Sequence, residues 1–163
     1  MKETPEDKKN RILSELSSVR MAIIDAAAEL TPVKQDQVFL GTWSMKDLLA
    51  HLAGWDDANL EALRALPQGK LPGFYAYRDK DWAGYNALLV RQYRVDDFNA
   101  MLDVVKESHQ QLLEAARQIP AHDFDRDWQV RYKGYRVLIS RLLQAEAQDE
   151  RVHLEQIRSF SGL

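Results

Sequence analysis

From residue 12 onward, apolar side chains return at alternating intervals of four and three: Ile12, Leu16, Val19, Ile23, Ala26 and Leu30. That interval is the seam of a helix packed lengthwise against other helices. Thr4-Pro5-Glu6-Asp7 predicts its start, with an N-cap hydroxyl, a proline at the first helical position and acids at the positive end of the dipole. Thr31-Pro32 predicts its end. A second stripe opens on the capping-box pattern Ser44-Met-Lys-Asp47 and runs Leu48, His51, Leu52, Trp55, Ala58, Ala62 and Leu66. A third carries Phe98, Leu102, Val105, His109, Leu112, Ala116 and Ile119 before Pro120 stops it, and a fourth carries Leu138, Leu142, Ala145, Asp149, Val152 with His153, and Ile157.

The connection between the second and third stripes, Pro67 to Val95, is long enough to avoid an antiparallel return and to cover a bundle mouth. Within it, Trp82-Ala-Gly-Tyr-Asn-Ala-Leu-Leu-Val predicts a short extra helix. Residues His122 to Gly134 form a second irregular connection. With no internal repeat and no strand-like pair of runs, the expectation is an all-α class, a four-helix bundle formed by one domain over 1–163.

Composition narrows the partners. A chain of 163 residues with 45% hydrophobic side chains can bury a sizeable core. Lys+Arg 22 against Asp+Glu 25 leaves a net charge of -3, so no basic footprint for nucleic acid and no broad attraction to an anionic membrane is expected. The absence of cysteine excludes disulfides and thiolate ligands, and leaves imidazole and carboxylate for any metal. A polar start and no long uncharged apolar run predict a cytoplasmic protein. No nucleotide-binding fingerprint is present, so no nucleotide cofactor is expected.

Two segments stand out chemically. His51 shares a stripe with Leu48, Leu52 and Trp55, which makes it either a metal ligand or a core histidine bonded to a carbonyl or carboxylate. Asp149 and His153, four residues apart, project from one helix face. A carboxylate on an apolar stripe is costly unless paired or metal-bound, so His51, Asp149 and His153 form a candidate ligand set, with pairing to an arginine such as Arg141 as the structural alternative for Asp149. Glu150-Arg-Val-His153 is the Glu-x-x-His element of di-iron bundles, but it occurs once, which favours a mononuclear site. Glu146 and Glu150 are candidate catalytic bases, each with a solvated or orienting role as the alternative. Trp55, Trp82, Tyr85 and Asn86 are candidate substrate-binding residues, though aromatics at helical spacing also serve as plain core. His109 is a structural histidine or a further ligand, His122 is expected on the surface, and Trp128 is an additional pocket candidate.

The stretch Trp43-Ser-Met-Lys-Asp-Leu-Leu-Ala-His51, the element Trp82-Ala-Gly-Tyr-Asn86 and the closing His153-Leu-Glu-Gln-Ile157 resemble, in this order, the DinB/YfiT-like superfamily, and most closely its ClbS/DfsB branch. The resemblance covers most of the chain. It implies an up-down-down-up bundle with a long connection between its second and third helices. It also implies a divalent ion held by His51, Asp149 and His153, with Asp149 standing where many relatives have a histidine. That substitution suits zinc, nickel, iron or manganese without choosing among them. The implied activity is a hydrolase or thiol transferase acting on a reactive electrophilic small molecule, in detoxification or resistance, with a low-molecular-weight thiol as co-substrate in the transferase case. A homodimer is expected. The alternative from another class is a metal-free protein that binds or sequesters a small molecule.

Overall fold

The capping sequences set the first helix boundaries in the computed structural model, which describes residues 2–162. Thr4 Oγ1 accepts from the Asp7 N–H at 3.1 Å and starts α1 (Pro5–Ala28). Thr31-Pro32 does more than end that helix: Thr31 caps a short α2 (Pro32–Asp36) that the apolar pattern is too brief to reveal. The reciprocal Ser44/Asp47 box starts α3 (Met45–Ala65), with the Ser44 N–H donating to Asp47 at 2.8 Å. The extra helix of the long connection is α4 (Trp82–Tyr93), and the third and fourth long stripes become α5 (Phe98–Gln118) and α6 (Ile139–Ser161).

Helix directions follow from which residues share a core. One apolar cluster joins Ile12 and Leu16 at the start of α1, Leu60 and Leu63 at the end of α3, Leu112 and Ala116 at the end of α5, and Leu143 near the start of α6. The other joins Ile23 on α1, Met45 and Leu48 on α3, Phe98 and Met101 on α5, and Ile157 on α6. The starts of α1 and α6 therefore lie at the end of the bundle where α3 and α5 finish, which is the up-down-down-up order. Among the described residues, no helix is long and apolar enough to cross a membrane.

Two expectations need correction. The core face of α6 is Ile139, Leu143, Glu146, Ala147, Glu150, Leu154 and Ile157, about one residue round from the predicted stripe. Asp149 is exposed and Val152 is 48% exposed. The pattern misled because two glutamates occupy core positions where apolar residues were sought. The second correction is a small hairpin in the irregular segment, β1 (Arg131–Tyr132) antiparallel to β2 (Tyr135–Arg136). Strands of two residues are too short to show alternation, but the turn at Lys133 and Gly134, with φ of 48° and 82°, has the positive values favoured by two-residue hairpin loops.

α4 lies against α3 through Gly54, where a Cβ would stand 2.7 Å from that of Leu89. This close approach seats Trp82, at the start of α4, 5.1 Å from Trp55 between ring centres. The long connection thereby forms a wall of the cavity described next.

Candidate functional site

Between the two apolar clusters the bundle carries a polar layer supplied by all four long helices. Arg20 of α1, 1% exposed, donates from Nη1 and Nη2 to Asp56 of α3 at 2.7 and 3.0 Å. It donates from Nε and Nη2 to Glu150 of α6 at 2.9 and 2.6 Å, and from Nη1 to the Val105 carbonyl at 3.3 Å. All five guanidinium N–H groups are used. On α5, Ser108 donates to Asp56 at 2.6 Å and His109 Nδ1 lies 3.5 Å from the same carboxylate. Burial alone would suppress the Arg20 charge, but the two carboxylates outweigh it and raise the pKa. Burial likewise opposes ionisation of Asp56, and Arg20 overcomes it, holding the carboxyl below the usual range.

Asp56, His109 and Glu150 offer ligand atoms all within 4.8 Å of one another, a spacing that suits a metal ion. The guanidinium already supplies the cation there, and a second one would compete for the same carboxylate lone pairs. This accounts for His109 as a member of a structural network. It also corrects the reading of Glu150 as a base: the residue is fully buried and both its oxygens accept from Arg20.

The predicted ligands face the next space outward. His51, Asp149 and His153 all line a cavity of about 180 Å³, together with Glu146, Trp55, Trp82 and Asn86. The two imidazole rings stand 5.3 Å apart at 82°. Trp55, Trp82, Glu146 and Asp149 also line an adjoining chamber of about 430 Å³, whose far wall includes Phe74 and Arg78. Asn86 accepts from Trp55 Nε1 at 3.0 Å and so fixes that indole edge. Tyr85 is a correction: it packs edge-on behind Trp55 at 5.5 Å and borders a different groove with Tyr77, supporting the wall without lining the chamber. Trp128 lies under Arg126, 4.3 Å from ring centre to guanidinium, and lines neither space. His122 is exposed beside Asp123.

The protonation pattern separates this cavity from the Arg20 layer. Burial, with help from His153 and Arg20, lowers the His51 pKa to about 3, so the ring is neutral. Its Nδ1 is buried without a partner. His153 Nδ1 lies 2.8 Å from Gln156 Oε1, an acceptor, so Nδ1 donates there and Nε2 is the ring nitrogen left for another partner. Burial, reinforced by Glu150, Asp56 and Asp149, pushes Glu146 well above the usual carboxylate range. Asn59 donates to its Oε2 at 3.1 Å, which leaves the proton to Oε1. Partial burial raises Asp149 against the pull of His153.

Arg20, Asp56, Asn59 and Ser108 escaped the reading of the sequence. A signal exists for the charged pair: Arg20 falls four residues after Leu16 and Asp56 four after Leu52, opposite charges on neighbouring stripes.

Comparison with known proteins adds the family. A model described as the DinB superfamily matches residues 15–157. No protein of curated function matches. Among solved structures, the colibactin self-resistance protein ClbS, in complex with a dsDNA, is similar with a TM-score of 0.78 and 17% identity, over 93% of this chain and 94% of that one. An uncharacterised protein from Escherichia coli UTI89 is similar with a TM-score of 0.75 and 12% identity, over 94% and 92% of the two chains. At these identities the likeness is one of fold.

Proposed function

We propose, from the premise that this chain belongs to the DinB superfamily, that it is a metal-dependent hydrolase or transferase acting on a reactive electrophilic small molecule in a detoxification or resistance role. The observation that carries this reading is that two imidazoles, the neutral His51 and His153 with its Nδ1 held by Gln156, face one cavity. Two imidazoles that share a tetrahedral ion at about 2.0–2.1 Å place their ring centres roughly 5 Å apart, and these stand at 5.3 Å. The imidazole pair suits a divalent ion such as zinc, nickel, iron or manganese. Asp149, which lines the same cavity, becomes the oxygen ligand only by turning inward, since among the described residues the group that already brings three ligand atoms within 4.8 Å is Asp56, His109 and Glu150. Bound there, such an ion supplies Lewis acidity for activating a water or a low-molecular-weight thiol.

The remaining work belongs to the chain. Gln156 orients His153 through Nδ1, the outer hydrogen bond that sets which nitrogen is free to ligate. Glu146 holds a proton at Oε1 beside both spaces and delivers it to a departing oxygen or nitrogen, as a general acid with a raised pKa does. Trp55 and Trp82 enclose the apolar body of the substrate and exclude water from the reacting end.

The resistance role is also supported by the similarity to ClbS. The dsDNA in that complex is not carried over, because the net charge of -3 here provides no general attraction to phosphate. The same reading takes the protein as cytoplasmic and homodimeric, and light scattering at 18.8 kDa across the micromolar range would refute the dimer. The deciding experiment is metal analysis of protein purified without an affinity tag, joined to turnover of epoxides and activated esters with and without chelator. Bound metal and chelator-sensitive turnover, both lost in His51→Ala, are expected. Metal-free protein that binds these compounds without turning them over establishes the sequestering alternative instead.

A further inference from the structure

Arginine distribution carries an inference about the substrate. Among the described residues, Arg11, Arg20, Arg94, Arg126, Arg131, Arg151 and Arg158 each have a carboxylate within 4.0 Å. Arg64, Arg78, Arg91, Arg117, Arg136 and Arg141 have none, and three of these six, Arg78, Arg136 and Arg141, line a single cavity of about 310 Å³. That cavity shares Arg78, Leu142 and Ala145 with the chamber behind Trp55 and Trp82, so the two adjoin across these side chains.

The arginines are held in place. Arg78 lies beside the paired rings of Tyr75 and Tyr132, whose centres are 4.8 Å apart, at 5.5 and 5.4 Å from them, and this cation–π contact holds the guanidinium at the cavity wall. Arg136 ends the hairpin, and Arg141 is in the first turn of α6. The acids that feel these arginines, Asp79, Asp125 and Asp127, are each already paired elsewhere, with Lys133 at 2.8 Å, Lys8 at 2.7 Å and Arg131 at 2.7 Å. Taken along its length, the cleft thus runs from imidazole and carboxyl groups, past the aromatic walls of Trp55, Phe74 and Trp82, to three cations with free donors.

We propose that Arg78, Arg136 and Arg141 form an anchoring site for a phosphate or carboxylate group on the substrate. This rests on the function proposed above and deepens it: the substrate is an electrophile with an unsaturated ring for the aromatic walls and an anionic tail. The tail at the arginines holds the ring in the chamber and directs the electrophilic end toward His51 and His153. Guanidinium pairs recognise both anions by parallel N–H donation, so the chemistry is shared.

The test is binding, which needs neither metal nor turnover. Quenching of tryptophan fluorescence by 1-naphthyl phosphate, 1-naphthoate and neutral 1-naphthol is measured on chelator-treated protein. Both anions are expected to bind at least about tenfold more tightly than the naphthol, the scale of charge-assisted hydrogen bonds. Arg136→Gln and Arg141→Gln, at exposed positions, should each remove most of that advantage and leave naphthol binding and the thermal midpoint unchanged. His51→Ala should leave the anion preference intact. Comparing the two anions shows which tail is preferred. Equal binding of all three probes, or an anion preference that survives both arginine variants, overturns the proposal, as does arginine-dependent binding of duplex DNA without binding of either anion. Loss of metal-dependent turnover with the anion preference retained would overturn only the function on which it rests.

Discussion

Two polar regions sit side by side in this bundle and share α6, yet they are built on opposite principles. In the Arg20 layer every guanidinium donor has an acceptor, and Asp56 and Glu150 are ionised partners of one buried cation. In the cavity beyond it, His51 Nδ1 has no partner, His153 Nδ1 is taken by Gln156, and burial, reinforced by neighbouring acids, pushes Glu146 well above the usual carboxylate range. A buried cation with every donor filled by two carboxylates and a carbonyl resists change and defines the packing of four helices, even though His109 Nε2 at its edge is, like His51 Nδ1, buried without a partner. Imidazoles and carboxyls left without a charged partner are a poor way to stabilise a fold and a suitable way to receive a ligand. The difference between the two regions is therefore legible in charge pairing, since burial and an unpartnered imidazole nitrogen are common to both.

The sharpest way to break this comparison is at Arg20. Arg20→Leu leaves Asp56 and Glu150 buried without a cation and is expected to cost about 3–5 kcal/mol in chemical denaturation. Replacing Arg20, Asp56 and Glu150 together by apolar residues should recover most of that loss, because the penalty lies in the orphaned charges. If the single variant proves mild, the layer is less tightly coupled than its hydrogen bonds indicate.

His51 supplies the contrasting case. No protein group depends on its nitrogens, so His51→Ala should change the unfolding free energy of chelated protein by only about 1 kcal/mol. In the wild type, zinc, nickel or manganese at a hundredfold over its Kd should add about 2.7 kcal/mol of stability, and the variant should lose this increment. Thermal unfolding of both proteins with each ion and with chelator measures it. A wild type indifferent to every ion, together with a variant equally weakened under all conditions, would make His51 a structural residue and remove the basis of the metal centre.

How much of this the sequence disclosed depends on where the charges lie. Helices whose stripes are purely apolar, such as Ile12 to Leu30, were legible by interval, and the Thr4 and Ser44 caps gave their starts. The candidate cavity was legible through His51 and His153 because an imidazole on an apolar face is conspicuous. Arg20 and Asp56 were not, because each is stable in the core only through a partner more than thirty residues away, and no local window contains both. The same blindness rotated the predicted face of α6: with Glu146 and Glu150 left off the buried stripe as candidate bases, Asp149 seemed to sit on it, whereas it stands at the cavity mouth. Long-range charge pairing hides from periodicity what it places in the core.

The mildest test concerns Glu146, and pH decides it. Its folded-state pKa is raised well above the ordinary 4.5 by burial and neighbouring acids. Between those two values the native protein retains a proton that the unfolded chain has released, so stability falls as pH rises through the window and levels off above the native pKa. Glu146→Gln keeps an oxygen to accept from Asn59 and cannot ionise. It should match the wild type near pH 4 and exceed it by about 1 kcal/mol or more at pH 8, with the gap opening progressively between. Urea unfolding of both proteins at half-unit intervals across that range resolves the trend. A constant difference at every pH would mean that Glu146 is already ionised in the folded state, and the cavity would then lack its proton donor.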